Sequence, residues 1–505
     1  MENLIGGFIT VFQPATLAYC FIGVFLGTVV GILPGLGPLT TIALLLPITY
    51  KMDVTSALIM LSGIYYGVAY GGTVTSVLMR IPGEASSVVT CLDGYEMARK
   101  GRAGAALGIA AFGSFFAGTV GVLAISYLSP PLSRWVLAFG PAEYSMVMLA
   151  GIALVTYFTN GSKLKALLMA AFGLLLGTVG SDPQTGSARL TFGVFHLIGG
   201  IDLVPLAIGL FGISEVLSMA LTKPEKMKVL PPPSTLLGFL PNREEARRSV
   251  APVVRGTVMG FLVGLIPGGG AVLATFISYA TERKLSKHPE EFGKGAVEGL
   301  AGPEAANNAG TAGAFVPLLC MGVPANAITA LLLGAFMIHG VAPGPTIMER
   351  QPEIFWGIVA SMYVGNIMLL VLNLPLIGLF VRVLDVPRAW LASIILMVCL
   401  VGVYSTNSAP MDVLLAVMFG VTGYVLRRFG YDLGIVILAY VLGGIFERSV
   451  RRALAISDGD LAIFVSTPLS MAFAAITVVL VIIAFIPRRK AVSAAMKPAV
   501  SEAGP

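Results

Sequence analysis

The sequence predicts an all-α, polytopic helical membrane protein with about ten to fourteen spans. Of its 505 residues, 56% are hydrophobic and only 11% are charged, whereas a soluble domain carries roughly 25% charged residues. Apolar runs of about twenty residues recur, and each is long enough to cross about 30 Å of hydrocarbon as a helix. Helices are expected because backbone polar groups must be satisfied internally in lipid. Examples are residues 107–128, 146–158, 356–381, 391–403 and 473–486.

A polar stretch from Thr222 to Arg248 divides the chain, and it is rich in Lys, Arg and Pro. Basic loops favour the cytoplasmic side, so this stretch is expected to be a cytoplasmic linker, and the basic residues 488–490 place the C-terminus on the same side. The predicted units are a first transmembrane repeat (16–219), the linker (220–251), a second repeat (252–455), an additional C-terminal transmembrane helix (456–490) and a tail (491–505).

The two sides of the linker resemble each other in sequence, which is typical of duplicated transporters. Three landmarks occur in the same order in both halves, and the second pair requires a few inserted residues in the second copy. We therefore predict two sequence-related repeats with broken or re-entrant helices, and we expect the repeats to be inverted. The paired segments are 27–38 with 260–270, 71–84 with 309–326, and 140–160 with 386–407.

Two matched Pro-Gly clusters, residues 34–38 and 267–270, interrupt apolar stretches that would otherwise be continuous helices. Proline cannot donate its backbone hydrogen bond and glycine lowers the cost of unwinding, so the helices should break there. A break exposes N–H groups that attract an anion and carbonyl groups that suit Na⁺. A simple kink or close helix packing is the structural alternative for either cluster taken alone.

Polar side chains follow each break, and hydroxyls and amides bind ions without the cost of burying a fixed charge. Asn307 and Asn308 are adjacent amides in a Gly/Ala context, with a helix cap as the alternative. Arg80 and Glu84 flank Pro82 and Gly83. Either the two side chains form an ion pair, or Arg80 contacts a carboxylate. The predicted substrate-binding residues are Pro34, Gly35, Gly37, Thr73, Pro267, Gly268, Gly269, Gly270, Asn307, Asn308, Thr311 and Asn326. Sodium is expected at Gly35, Gly268, Asn308 and Thr311.

Other functional classes lack their sequence signals. The modest charge of +6 is spread over short loops, which argues against nucleic-acid binding. There is no GxxxxGK[ST] loop for ATP, and no histidine lies at metal-ligand spacing. The four cysteines show no CxxC pairing and are expected to be core residues. We therefore predict no enzymatic activity and no cofactor apart from a coupling ion.

The second half reads IPGGGAVLATFISYATERKLSK, then GKGAVEGLAGPEAANNAGTAGAFVPLLCMGVP, then GAFMIHGVAPGP. The first half contains GILPGLGPLTTIALLLPIT, YGGTVTSVLMRIPGE and DGYEMARKGRAGAALG. These segments closely resemble the large permease subunit of the tripartite tricarboxylate transporters (TctA family), from Gly6 to about Phe446. The signature positions of the family correspond here to Pro34, Gly35, Gly37, Pro38, Pro267 to Gly270, Glu304, Asn307, Asn308, Gly310 and Thr311.

The resemblance implies a multi-pass protein of the bacterial cytoplasmic (inner) membrane. It implies two partners, a small membrane subunit and a periplasmic solute-binding protein. The implied activity is import of citrate or a related carboxylate by alternating access, driven by a sodium or proton gradient. A passive anion channel and a membrane enzyme acting on a lipid-soluble substrate are the alternatives.

Overall fold

The computed structural model describes residues 2–33, 36–159, 162–182, 184–222, 229–232 and 235–485. The fold is helical apart from one short hairpin, which confirms the predicted all-α class. Among these residues, nine helices are long and apolar enough to cross a membrane. Two shorter apolar helices, Ala327–Ile338 and Pro468–Ile483, accompany them. The basic residues 488–490 and the predicted tail lie outside the described part of the chain.

The described residues of the first half form ten α-helices and the β-hairpin. The long helix α6 follows α5 across a kink at Gly101, whose φ is 79, and α9 continues into α10 through a π-helical turn. The hairpin stands between α8 and α9. The helices are α1 (Glu2–Val11), α2 (Pro14–Ile32), α3 (Pro38–Leu45), α4 (Val54–Met79), α5 (Thr90–Met97), α6 (Ala103–Val136), α7 (Pro141–Phe158), α8 (Lys163–Gly177), α9 (Leu203–Ala207) and α10 (Ser214–Leu221), and the strands are β1 (Gly180–Ser181) and β2 (Ala188–Arg189), paired antiparallel.

Within the part of the second half that the structure describes, there are twelve α-helices. Several short helices connect the longer ones, and the last helix follows the predicted second repeat. They are α11 (Arg243–Gly264), α12 (Gly270–Leu285), α13 (Val297–Gly313), α14 (Phe315–Met321), α15 (Ala327–Ile338), α16 (Ile347–Arg350), α17 (Pro352–Asn373), α18 (Ile377–Val381), α19 (Arg388–Asn407), α20 (Pro410–Arg428), α21 (Leu433–Ile456) and α22 (Pro468–Phe485).

Both predicted Pro-Gly breaks coincide with helix ends. Helix α2 ends at Ile32 and α3 begins at Pro38, while α11 ends at Gly264 and α12 begins at Gly270. Pro34 and Gly35, which belong to the first break, lie outside the described residues. The breaks leave short helices whose N-termini lie inside the molecule rather than at its surface.

Glycine ridges let the longest helices of each half approach closely. A Cβ at Gly27 of α2 would lie 2.6 Å from the carbonyl oxygen of Ile64 on α4. In the second half, a Cβ at Gly260 of α11 would clash with the carbonyl oxygen of Ala306 on α13. Small residues at helix interfaces are the usual means of tight packing in membranes. The same packing in both halves supports the predicted duplication, which stays a prediction.

The outer helices expose apolar side chains. On α19, Ile394, Met397 and Val401 are each more than half exposed, and α22 exposes Val478 and Ile482 to the same degree. A helix surface of this kind needs an apolar surrounding. These faces therefore fit contact with lipid.

The linker region is partly helical, because α11 begins at Arg243, inside the predicted 220–251 stretch. Asn242 caps this helix by accepting a hydrogen bond from the Glu245 backbone N–H at 2.8 Å. Farther along, Arg248 pairs with Glu298 at 2.8 Å, and Arg255 contacts Glu282. In these ion pairs, the acidic side chains offset the positive charges of the basic residues on α11. We call the side of the molecule where α10 ends and α11 begins the linker side.

Candidate functional site

A cavity of about 780 Å³ lies between the two halves, at the level of the helix breaks. We call it the main cavity. Its wall contains five of the predicted substrate-binding residues, together with Tyr65, Glu84 and Ser86. The five are Gly37, Gly268, Gly269, Gly270 and Asn326. The structure therefore brings together predicted residues that are distant in the chain.

Four helix N-termini line the main cavity. Gly37 precedes α3, Gly269 precedes α12, Asn326 precedes α15 and Asp432 precedes α21, and all four line the wall. The first N–H groups of a helix have no partner within the helix, and the helix dipole is positive at this end. Such ends are common anion-binding positions in proteins.

The second break is fixed by glycines in left-handed backbone conformations. Gly268 has φ +80 and Gly270 has φ +56, and non-glycine residues seldom adopt these values. The Gly268 N–H donates to the Ala325 carbonyl oxygen at 2.7 Å, which ties this break to the turn before α15. A Cβ at Gly268 would lie 2.6 Å from the Val155 backbone nitrogen of α7.

A further pair of turns, one in each half, has closely similar geometry. Helix α4 is followed by the C-cap residue Arg80 with φ 59, and α14 is followed by the C-cap residue Gly322 with φ 68. Each is followed by a proline and then by a capping residue in extended conformation, Glu84 in the first half and Asn326 in the second. Both residues form capping boxes, Glu84 with Ser87 and Asn326 with Thr329. Both side chains line the main cavity.

Two side-chain contacts cross between the halves at these turns. Asn307 Nδ2 donates to Glu84 Oε1 at 3.2 Å, and Asn326 Nδ2 donates to Tyr65 Oη at 2.9 Å. Tyr65 is separated from Asn307 by the same number of residues as Glu84 is from Asn326. The two contacts thus join residues at one constant spacing in a reciprocal way, as expected for halves related by a two-fold axis. This register replaces the pairing of residues 71–73 with 309–311 made from the sequence, and it needs no inserted residues in the second copy.

The predicted polar residues of α13 lie behind the wall of the main cavity. Asn307 and Asn308 are in the interior of the helix rather than at its end, so the alternative of a helix cap is wrong. Asn307 does not line the main cavity, but it contacts Glu84, which does. Asn308 Nδ2 donates to Ser114 Oγ at 2.7 Å, and Thr311 Oγ1 donates to the Asn307 carbonyl oxygen at 3.0 Å.

Thr73 is also absent from the wall of the main cavity. Its hydroxyl donates to Glu304 Oε2 at 2.7 Å, and Thr90 donates to the other carboxylate oxygen. Glu304 is 1% exposed. Thr73 therefore holds a buried carboxylate that joins α4, α5 and α13.

A second, small cavity of about 20 Å³ lies beside Asn308 and Thr311. Its wall also contains Tyr66, Tyr70 and Asn366. Tyr70 Oη donates to Asn366 Oδ1 at 2.7 Å. This volume is enough for about one water molecule and too small for a carboxylate substrate.

Two basic side chains line the main cavity near the linker side. Arg427 contacts Glu215 on α10, the helix that leads into the linker. The Lys165 ammonium donates to the Phe429 carbonyl oxygen and lies 5.0 Å from the centre of the Tyr431 ring. Neither residue stands out in the sequence, because each lies at the end of an otherwise apolar helix, where an interfacial anchor is common.

The structure also gives the positions of Arg80, Glu84, Pro267 and the four cysteines. Arg80 lies over the Tyr95 ring at 5.8 Å, and Glu84 contacts Ser86 and Asn307. All four cysteines are buried free thiols, as expected. The described residues contain no group of three or more His, Cys, Asp or Glu side chains able to hold a metal ion. Pro267, although within the break, does not line the main cavity.

A polytopic helical protein with a cavity built from broken helices of both halves has the architecture of a membrane transport protein. Comparison with known families agrees. A model described as "Tripartite tricarboxylate transporter TctA family" matches residues 17–438. The chain belongs to this family, and it is therefore a subunit of a tripartite transporter that works with other subunits.

Two curated relatives come from Agrobacterium vitis. One, described as "Uncharacterized 52.8 kDa protein in TAR-I ttuC' 3'region", is 47% identical over 487 residues, which cover 96% of each chain. The other, "Uncharacterized protein in TAR-II ttuC' 3'region", is 47% identical over 228 residues, which cover 45% of this chain and 94% of the relative. No solved structure matches the chain.

Proposed function

We propose that the chain is the permease subunit of a binding-protein-dependent secondary transporter that imports a tricarboxylate such as citrate, or a related carboxylate. The observation that carries this proposal is the main cavity, where helix N-termini from both halves converge. The ends at Gly37 and Gly269 have no side-chain cap, and their N–H groups suit carboxylate oxygens. Asn326 and Asp432 accept N–H groups of their own helices. Lys165 and Arg427 add positive charge toward the linker side. The volume of about 780 Å³ lies within the range of about 300–1,000 Å³ for small-molecule sites.

Alternating access between inverted repeats is the proposed mechanism, with an elevator-like movement of one part of each repeat. The positions at which the two matched segments end support this mechanism. The segment after Glu84 ends on the linker side, where Arg102 contacts Glu245. The segment after Asn326 ends at His339, whose ring contacts Thr49 at 3.0 Å near the start of α4. Opposite directions of matched segments are what inversion requires.

The proposed partners are a periplasmic solute-binding protein and a small membrane subunit. The proposed location is the bacterial cytoplasmic membrane, with the linker and the C-terminus on the cytoplasmic side. These assignments rest on the family and on the positive-inside rule. The proposed driving force is a sodium or proton gradient.

Two matched asparagine substitutions test the substrate site. Asn326→Asp keeps an N-cap of equal quality but adds a negative charge to the main cavity. We expect the affinity for radiolabelled citrate, measured on the purified chain in lipid nanodiscs, to fall at least about tenfold through charge repulsion. Asn242→Asp makes the same change at the capped start of α11 and should leave the affinity unchanged. Unaltered citrate affinity in Asn326→Asp would show that substrate binds elsewhere.

A further inference from the structure

We propose that Glu84, Ser86 and Asn307 form a binding site for a monovalent metal cation, with Na⁺ as its probe, on the first-half side of the main cavity. The inference rests on the proposed transport function, because it names the ion that would accompany the carboxylate. It places the ion at side chains that the sequence analysis did not assign to sodium.

The Glu84 carboxylate is held by neutral donors only. Oε1 accepts hydrogen bonds from Asn307 Nδ2 at 3.2 Å and from the Ser86 hydroxyl. Among the described residues, no Lys, Arg or His side chain lies within ion-pair distance of it. An isolated carboxylate at membrane depth is costly unless a cation neutralises it. When Glu84 is ionised, the site therefore lacks one positive charge, which a bound metal cation or a proton would supply.

The Asn307 side chain provides an independent observation. It is 1% exposed, and its Oδ1 has no hydrogen-bond partner within the described structure. Buried amide oxygens are almost always paired, and leaving one unpaired costs about 1–3 kcal/mol. Rotation of the amide would turn Oδ1 toward Glu84, where both oxygens could coordinate the same cation. Carboxylate, amide and hydroxyl oxygens are the ligands that hard cations prefer.

The two halves differ in charge at the matched positions. Glu84 in the first half corresponds to Asn326 in the second, and Asn307 corresponds to Tyr65. The second-half position therefore offers an amide and a hydroxyl instead of a carboxylate and an amide. The first-half turn therefore offers the carboxylate that suits a cation, and the second-half turn does not. Adjacent binding of the cation and the substrate carboxylate would offset their charges.

Direct measurement of ²²Na⁺ binding to the purified chain in nanodiscs, without carboxylate, tests this site. We expect saturable binding by the wild type, loss of binding in Glu84→Gln, and at least tenfold weaker binding in Asn307→Leu. Glu143→Gln is the matched control, because it replaces a buried glutamate that caps α7. It should bind Na⁺ like the wild type. Unchanged elution and melting temperature would show that each variant is folded.

Three results would overturn the inference. They are the absence of saturable Na⁺ binding in the wild type, undiminished binding in Glu84→Gln, and loss of binding in Glu304→Gln while Glu84→Gln retains it. Citrate binding to the same samples separates this inference from the transport function. A wild type that binds citrate but not Na⁺ would refute the cation site alone, whereas one that binds Na⁺ but no carboxylate would refute the proposed function.

Discussion

Asn366 on α17 donates a hydrogen bond from Nδ2 to Thr119 Oγ1 on α6 at 2.9 Å. The two residues are separated in the chain by the same number of residues as Ser361 and Ser114. Those serines are contacted in a reciprocal way, since Asn308 donates to Ser114 and Tyr66 donates to the Ser361 carbonyl oxygen. The Asn366–Thr119 contact thus joins two matched positions directly. It is the place where a two-fold axis between the halves would pass.

Loss of the Asn366 amide should destabilise the protein. Its Oδ1 accepts from Tyr70, and its Nδ2 donates to Thr119 and to the Phe115 carbonyl oxygen at 2.8 Å. Asn366→Leu leaves the buried Tyr70 hydroxyl without its acceptor, at a cost of about 1–3 kcal/mol. Thr119 Oγ1 and the Phe115 carbonyl oxygen keep the hydrogen bond between them. We expect a melting temperature several degrees lower, measured by differential scanning fluorimetry.

Asn373 on the same helix is the matched control. Its Nδ2 bonds only the Leu369 carbonyl oxygen of its own helix, and its Oδ1 has no partner within the described structure. Asn373→Leu should therefore leave the melting temperature unchanged or raise it. Equal losses of stability in both variants would refute this account of Asn366.

Gly268→Ala should impair uptake by disturbing the second break. The left-handed φ of Gly268 is unfavourable for alanine, and the added Cβ would lie 2.6 Å from the Val155 backbone nitrogen. We expect a loss of at least about tenfold in citrate uptake. Gly378→Ala in α18 is the control, because nothing lies within 4 Å of its added Cβ. Wild-type uptake in Gly268→Ala would mean that the geometry of the break is not needed.

Lys165 should strengthen anion binding through charge at the linker side of the main cavity. Lys165→Gln is expected to weaken citrate binding by about threefold to tenfold, with a reduced dependence on ionic strength. Binding isotherms at low and high salt measure both effects. Lys287→Gln, in the loop after α12, removes the same charge away from the cavity and should have no effect. Equal salt dependence in wild type and Lys165→Gln would contradict this role.

The hairpin between α8 and α9 should be stable to acid. Backbone N–H groups of Thr185 and Gln184 hold the pKa of the Asp182 carboxyl at about 2, below its ordinary value of about 3.9. A lowered pKa means that the stabilisation is complete above the ordinary value and is lost as the pH falls through about 2. Hydrogen exchange of residues 184–189 should therefore stay protected at pH 4 and lose protection near pH 2. In Asp182→Asn, protection should be weaker throughout and should not change over this interval.

Sequence reasoning located the helix breaks because proline and glycine act locally. It identified Gly268 to Gly270 and Asn326 as site residues, and the structure places them on one cavity. It did not identify Tyr65 or Lys165, because their positions in the cavity depend on how α4 and α8 pack. Asn307 was recognised as a buried polar residue, but the packing that places Glu84 between it and the cavity is not a local property. An alignment of the two halves that matched Tyr65 with Asn307 would have indicated both as candidate site residues.

Accumulation of labelled citrate in proteoliposomes most directly tests the central claim that this cavity belongs to an ion-coupled permease. The vesicles would contain the chain with its membrane partner, the solute-binding protein outside, and an imposed inward cation gradient. The account predicts uptake above the equilibrium level, its collapse when an ionophore abolishes the gradient, and its loss in Asn326→Asp but not in Asn242→Asp. Uptake that only equilibrates and ignores the gradient would contradict it and indicate a passive anion channel.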